Sequence, residues 1–222
     1  TLAGSSAASD VYKRQRWIEH KMNQFLNKTL KTTGEDYVIA SDTDSIYLNL
    51  GPLVETVYKG REKTDKSVVS FLNKVCEVEF EKYIESSYKE LATYVNAYEQ
   101  KMIMKRENIA SVGIWTAKKR YMLNVWDSEG VSYDEPKLKM MGIEAVKSST
   151  PAPCRTAIKD AINIMMKGTE SDLLSFIDSF RSEFNSLPPE DIAFPRSVNG
   201  LRKFKASGTC LLYTSPSPRD SS

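Results

Sequence analysis

The chain has 222 residues, 41% of them hydrophobic and 27% charged, with a net charge of +2. That balance fits a soluble globular protein or a piece of one, and any surface for a polyanion must come from local clustering rather than from bulk charge. No run is long and apolar enough to span a bilayer. Three scattered cysteines (Cys76, Cys154 and Cys210) argue against a disulfide framework and a zinc site, and a single histidine, His20, argues against a histidine-rich metal centre or a Ser-His-Asp triad.

Residues 1–15 and 206–222 are small, polar and without helical or strand period. They resemble translated adaptor read-through and are set aside from fold reasoning, which makes the chain an expected internal fragment. Trp17 to about Leu30 reads as a helix, with Ile18, Met22, Phe25, Leu26 and Leu30 as its apolar side. Tyr37–Ser41 and Ser45–Leu50 are rich in β-branched and aromatic residues, and the short acidic turn between them implies a hairpin over 37–50. Gly51-Pro52 breaks the second strand.

A long helix is predicted from about Lys66 to Val95, on the three- and four-residue steps of Val68, Leu72, Val75, Ile84, Tyr88, Leu91 and Val95. Lys101–Ile109 and Ile114–Trp126 read as strands with a turn at Ser111–Gly113 between them, followed by a turn at Ser128–Gly130 and a further strand over Lys137–Met141. After "SSTP" the pattern turns helical. Thr150 is placed to cap a helix that carries Ala157, Ile158, Ala161, Ile162 and Met165 and stops at Gly168. A second helix runs from Ser171 to about Phe184 and ends at Pro188-Pro189. The fold class is thus α/β (α+β): an antiparallel sheet packed by long helices, then a helical part.

The stretch "YVIASDTDSIYLNL" concentrates the chemistry. Asp42 and Asp44 stand two apart at a hairpin tip, where two close carboxylates repel unless one is protonated or a cation lies between them. Mg²⁺ prefers a few carboxylate oxygens together with waters and phosphates, and flanking strands would give such a pair a rigid base. An acidic hairpin tip can also be simply solvated. An EF-hand loop starting at Asp42 is excluded, because Tyr47 and Leu53 occupy the positions that require Gly and Glu. An aspartate-nucleophile phosphohydrolase would need a loop, not a strand, after Ser45. A second cluster, "WTAKKRYMLNVW", sets Lys118, Lys119 and Arg120 beside Tyr121. On a strand, Lys119 and Tyr121 would share one face and Lys118 and Arg120 the other. Cations beside an aromatic hydroxyl suit phosphates and a duplex minor groove, although basic edge strands also serve as guards against aggregation.

"ASDTDSIYL" resembles motif C of family B DNA polymerases, and "WTAKKRYMLNV" resembles their Lys-Lys-x-Tyr motif. "EPKLKMMGIEAVKSSTP" (135–151) is similar to their palm–thumb junction and "FPRSVNGL" (194–201) to a thumb segment, in the order and spacing of the replicative enzymes of T-even-like tailed phages. The resemblance implies a palm fragment over 16–147, with the Lys-Lys-x-Tyr strand at 114–126, and the start of a thumb over 148–205. It implies two-metal-ion transfer of a nucleotide from a dNTP to a primer 3′-hydroxyl, with Mg²⁺ as cofactor. Asp42 and Asp44 match the catalytic, metal-binding aspartates, Asp44 being the stronger match, and Glu107 matches an acidic palm residue near the metals. Where some relatives carry another acid, this chain has Lys105. Lys119 and Tyr121 match residues that touch the primer–template duplex; Lys118 and Arg120 match backbone contacts. Ser148 and Ser149 precede a helix N-terminus where phosphate can sit. The implied partners are primer–template DNA, a dNTP and a sliding clamp, with no membrane, in the cytoplasm of an infected bacterium. The motif A aspartate and the fingers lie outside this stretch, so the fragment alone is expected to be inactive. A non-catalytic duplex-binding module is the alternative.

Overall fold

The computed structural model describes residues 3–42 and 44–194. The chain divides into two compact units between Ile143 and Glu144, inside the 135–151 stretch and four residues before the boundary predicted at 147/148.

The first unit opens with helix α1 (Ala3–Leu30), which begins well before Trp17 and takes in residues that the sequence reading set aside. Ile18, Met22 and Leu26 recur every fourth residue and are almost wholly removed from solvent. Burying side chains of this size contributes about 1.5–3 kcal/mol each before conformational entropy is counted. They pack with Phe80, Ile84, Tyr88 and Leu91, as well as Tyr37 and Leu53. The polar side of α1 fixes the chain that follows. The Asn23 Oδ1 accepts from the backbone N–H groups of Tyr37 (2.8 Å) and Val38 (3.1 Å). The Glu19 carboxylate accepts the Ser41 hydroxyl. Strand β1 (Val38–Asp42) is therefore held at both ends by one helix, and it pairs antiparallel with β2 (Ser45–Leu48) in the predicted hairpin.

Gly51-Pro52 does break the second strand, and the proline, set in the first turn, starts a short helix α2 (Gly51–Val57) that the sequence reading did not anticipate. The predicted long helix is present as α3 (Asp65–Val75), a π turn (Cys76–Phe80) and α4 (Glu81–Tyr94). A π turn inserts an extra residue and shifts the helical phase. As a result Val69 and Leu72 face a small core with Val54 and Ile109, while Phe80, Ile84, Tyr88 and Leu91 face α1.

Residues 101–107 do not form the predicted strand; strand β3 starts at Asn108. Arg106 explains the irregular path. Its backbone N–H donates to Glu81 (3.1 Å), and its guanidinium donates to the carboxylate of Asp127 and the side-chain carbonyl of Asn73. These bonds direct the backbone away from a ladder. β3 (Asn108–Ala117), β4 (Arg120–Ser128) and β5 (Val131–Met141) form an antiparallel meander. No turn forms at Ser111–Gly113: β3 runs through it with irregular register. Gly113 serves packing instead, since a Cβ there would meet the Trp115 ring at 2.6 Å. The turn falls at Lys118–Lys119. The predicted turn before β5 holds, with positive φ at Glu129 (52°) and Gly130 (89°), as a tight hairpin requires.

The second unit has a 3₁₀ turn (Glu144–Val146), α5 (Ala152–Lys167), α6 (Glu170–Ser186) and a short α7 (Pro189–Ile192). Pro151 rather than Thr150 is the N-cap of α5, and no side chain caps that helix. Thr169 caps α6 in a reciprocal box with Asp172. Of the stretch 194–201 only Phe194 is described, and residues 206–222 lie outside the described residues.

The Arg106–Asp127 pair is the most enclosed ion pair among the described residues, with 10% and 4% of the two side chains exposed. Burial pushes the Asp127 carboxyl up, but hydrogen bonds from Ser132, Arg106 and the Gly130 N–H outweigh it and hold the group below the usual carboxylate range. A lowered folded-state pKa contributes stability above the unfolded value and loses it as pH falls. Urea unfolding across an acid titration is expected to show stability declining below about pH 4. Asp127→Asn is expected to cost about 3–5 kcal/mol at neutral pH, by stranding Arg106, and to lose less over the acid window.

Candidate nucleic-acid and metal site

Asp42 ends β1, opposite Ser45 on β2. Asp44 lies in the turn itself rather than on a strand, its N–H donating to the Asp42 carbonyl at 2.5 Å. The Ser45 hydroxyl donates to the same carbonyl (3.1 Å). The tip is thereby tightened around the backbone of Asp42. Strand β2 follows at once over Ser45–Leu48, which is not the loop that an aspartate-nucleophile reading needs.

The hairpin is docked by Tyr47. Its ring meets Trp115 of β3 edge-on (5.2 Å between centroids) and Tyr121 of β4 at a tilt (5.5 Å). Trp115 and Tyr121 are cross-strand partners, so the pair presents one aromatic platform to Tyr47. The Tyr47 phenol is pushed well above its ordinary range. Burial is the main cause, reinforced by its hydrogen bond with Tyr121 and by the negative charge of Glu107. The hydroxyl therefore stays protonated in the pH range where proteins fold.

This docking brings the acidic tip to the basic turn. Lys118 and Lys119 form the two-residue turn between Ala117 and Arg120, so the expected alternation of the basic residues along a strand does not hold. Lys119 takes a left-handed backbone (φ 59°), which costs an L-residue about 1–2 kcal/mol. Gly142 (φ 67°), just past β5, approaches so closely that a Cβ there would collide with the Lys119 carbonyl. The Lys119 ammonium lies 3.6 Å from the Asp42 carboxylate. The lysine side chain is 61% exposed, so the pair is worth about 1 kcal/mol at most.

Asp42, Asp44, Lys119, Tyr121 and Glu107 all line one open cleft of about 1190 Å³. Glu107 is exposed and sits one residue before β3. Tyr121 is only 6% exposed and acts as a buried strut of the cleft wall. Lys118 is exposed and Arg120 half-buried. Ser148 and Ser149 belong to the second unit, exposed in the turn before α5. Two hard carboxylates facing one cleft fit Mg²⁺ as part of a donor set. Among the described residues no group of three metal-ligating side chains forms, so Glu107 does not complete such a set with the two aspartates.

Four residues that shape the site carry no signal of that role in the sequence. Tyr47 looked like an ordinary strand aromatic, and Gly142 gave no signal, because its role depends on a turn distant in sequence. Arg106 and Asp127 were hidden for the same reason.

No protein-family model matches the chain. The chain is nonetheless homologous to phage DNA-directed DNA polymerases. It is 38% identical to the DNA-directed DNA polymerase of Escherichia phage RB69 and 35% identical to that of Enterobacteria phage T4, in each case over 87% of its own length. It spans 22% of the length of those relatives.

Replacing Gly142 by Ala is expected to move the Lys119 turn. Unfolding by urea should show a loss of at least about 1 kcal/mol, because the new methyl meets backbone and the positive φ disfavours it. Amide shifts at Lys118–Tyr121 should change with it.

Proposed function

We propose that this chain is the part of a family B-like DNA-directed DNA polymerase that carries two catalytic carboxylates and the nearest grip on primer–template duplex. The observation that supports this best is the docking of the Asp42/Asp44 tip onto the Lys118–Lys119 turn in one cleft, in a chain homologous to phage polymerases. The first unit corresponds to a palm fragment and the second to the start of a thumb. Asp42 and Asp44 hold Mg²⁺, Asp44 being the freer to approach it; remaining ligands come from water, substrate phosphates and residues outside this segment. When bound, the metal supplies activation of the primer 3′-hydroxyl and stabilisation of the leaving oxygen.

The protein residues have separable tasks. Lys119 neutralises Asp42 in the free chain and exchanges it for a backbone phosphate when DNA enters. The exposure of the lysine keeps the pair weak and makes that exchange inexpensive. Tyr121 anchors the turn from within and, at the cleft wall, faces the primer end. Lys118 and Arg120 add backbone contacts, and Glu107 shapes the field at the cleft. Ser148 and Ser149 offer hydroxyls to a phosphate ahead of α5. The whole protein acts on dNTPs in the cytoplasm of an infected bacterium and takes a sliding clamp as partner. No described helix is long and apolar enough to cross a membrane.

Lys119→Gly isolates the charge from the fold, since glycine accepts the left-handed turn. The variant is expected to unfold no more easily than the parent. Its duplex binding should weaken, and the log–log salt slope should become shallower by about 0.9, the value of one phosphate contact. An unchanged slope would reject Lys119 as a phosphate ligand. The 222-residue chain alone is expected to extend no primer; template-dependent incorporation by the purified chain would show that it needs no further carboxylate.

A further inference from the structure

We propose that Lys139 of β5 is a second phosphate-contacting residue of the cleft, continuing the basic turn onto the face of the three-stranded sheet. This rests on the reading of the cleft as a duplex site.

Residues directly opposite on antiparallel strands share a face. Tyr121 pairs with Met141 and Leu123 with Lys139. Tyr121 and Leu123 belong to the cluster that receives Tyr47, so Lys139 projects from the face on which the acidic hairpin is docked. It lines the same cleft as Asp42, Asp44 and Lys119, and it is half-buried.

Four lysines line the cleft, and Lys63, Lys105 and Lys119 are exposed whereas Lys139 is half-buried. Lys21, Lys66, Lys89, Lys101 and Lys147 each have a carboxylate partner. Lys137, two residues before Lys139 on the same strand, lies over the Tyr133 ring at 4.0 Å. Lys139 has no ion-pair partner among the described residues. A lysine whose stem packs against the sheet while its ammonium has no carboxylate partner is available to an anion that enters the cleft.

The spacing favours a nucleic-acid backbone over a single nucleotide. Lys119 sits in the turn that precedes β4, whereas Lys139 lies opposite Leu123, the fourth residue of that strand. At the strand rise of about 3.4 Å per residue the backbone from Arg120 to Leu123 alone covers roughly 10 Å, so the two lysines arise from separate points of the sheet. That suits separate phosphates of a backbone, whereas one compact triphosphate would need them to converge.

The test is duplex binding by the 222-residue chain, followed by fluorescence anisotropy through a salt titration, with circular dichroism to check each variant's fold. Lys139→Met keeps the apolar stem and removes the charge. Its log–log slope should be shallower than the parent's by about 0.9. Lys139→Arg should restore the slope. Lys137→Met removes the same charge from the same strand and should leave the slope at the parent value. An unaltered slope in Lys139→Met, or an equal drop in Lys137→Met, overturns the inference while the duplex reading stands. So does an effect of Lys139→Met on pyrophosphate binding alone. If the parent chain shows no salt-dependent duplex binding, both the inference and the reading fail.

Discussion

The packing of Tyr47 against Trp115 and Tyr121 is the contact on which the site depends. It joins two hairpins that are far apart in the chain, one acidic at its tip and one basic at its turn. Aromatic pairs in such geometry contribute about 0.5–1.5 kcal/mol each beyond simple burial. The shared hydrogen bond of the two phenols gives the junction direction as well as area, because a buried hydroxyl left without a partner would be penalised. Without this junction the aspartates and lysines would be two unrelated charged turns. With it, opposite charges meet across one cleft, and the Lys119 side chain stays largely exposed, which leaves it open to exchange partners.

The rest of the first unit steadies the two hairpins. α1 grips β1 through Asn23 and Glu19, so the apolar stripe of Ile18, Met22 and Leu26 is translated into the position of the acidic tip. Arg106 ties the stretch before β3 to α3, α4 and β4, and so sets where Lys105 and Glu107 meet the cleft. The π turn lets one helical rod address two small cores. Gly142 finishes the construction from the far end of the sheet by leaving room for the Lys119 carbonyl.

Features set by local pattern were legible in the sequence. The acidic hairpin, the core side of α1, the long helix and the turn at Glu129-Gly130 all follow from periodicity or turn chemistry acting over a few residues. Features set by contacts distant in sequence were not. Lys101–Ile109 has the letters of a strand, but the bonds of Arg106 pull it out of the ladder. Gly113 looked like a turn residue because glycine often is one, yet here it makes space for an indole. The basic letters of Lys118–Tyr121 are plain in the sequence, but placing the turn within them needs the register of β3 on β4. The two aspartates line one cleft, although Asp44 lies in the turn rather than on the strand. Homology to phage polymerases accords with the resemblance that the motifs carried.

The duplex site proposed between the acidic tip and the basic turn should reveal itself residue by residue. The most direct measurement is an NMR titration of the ¹⁵N-labelled chain with primer–template duplex in the presence of Mg²⁺. The account predicts that amide shifts change together at Asp42–Ser45, Lys118–Tyr121 and Lys139. Changes confined to other surfaces, with these three segments unmoved, would contradict it.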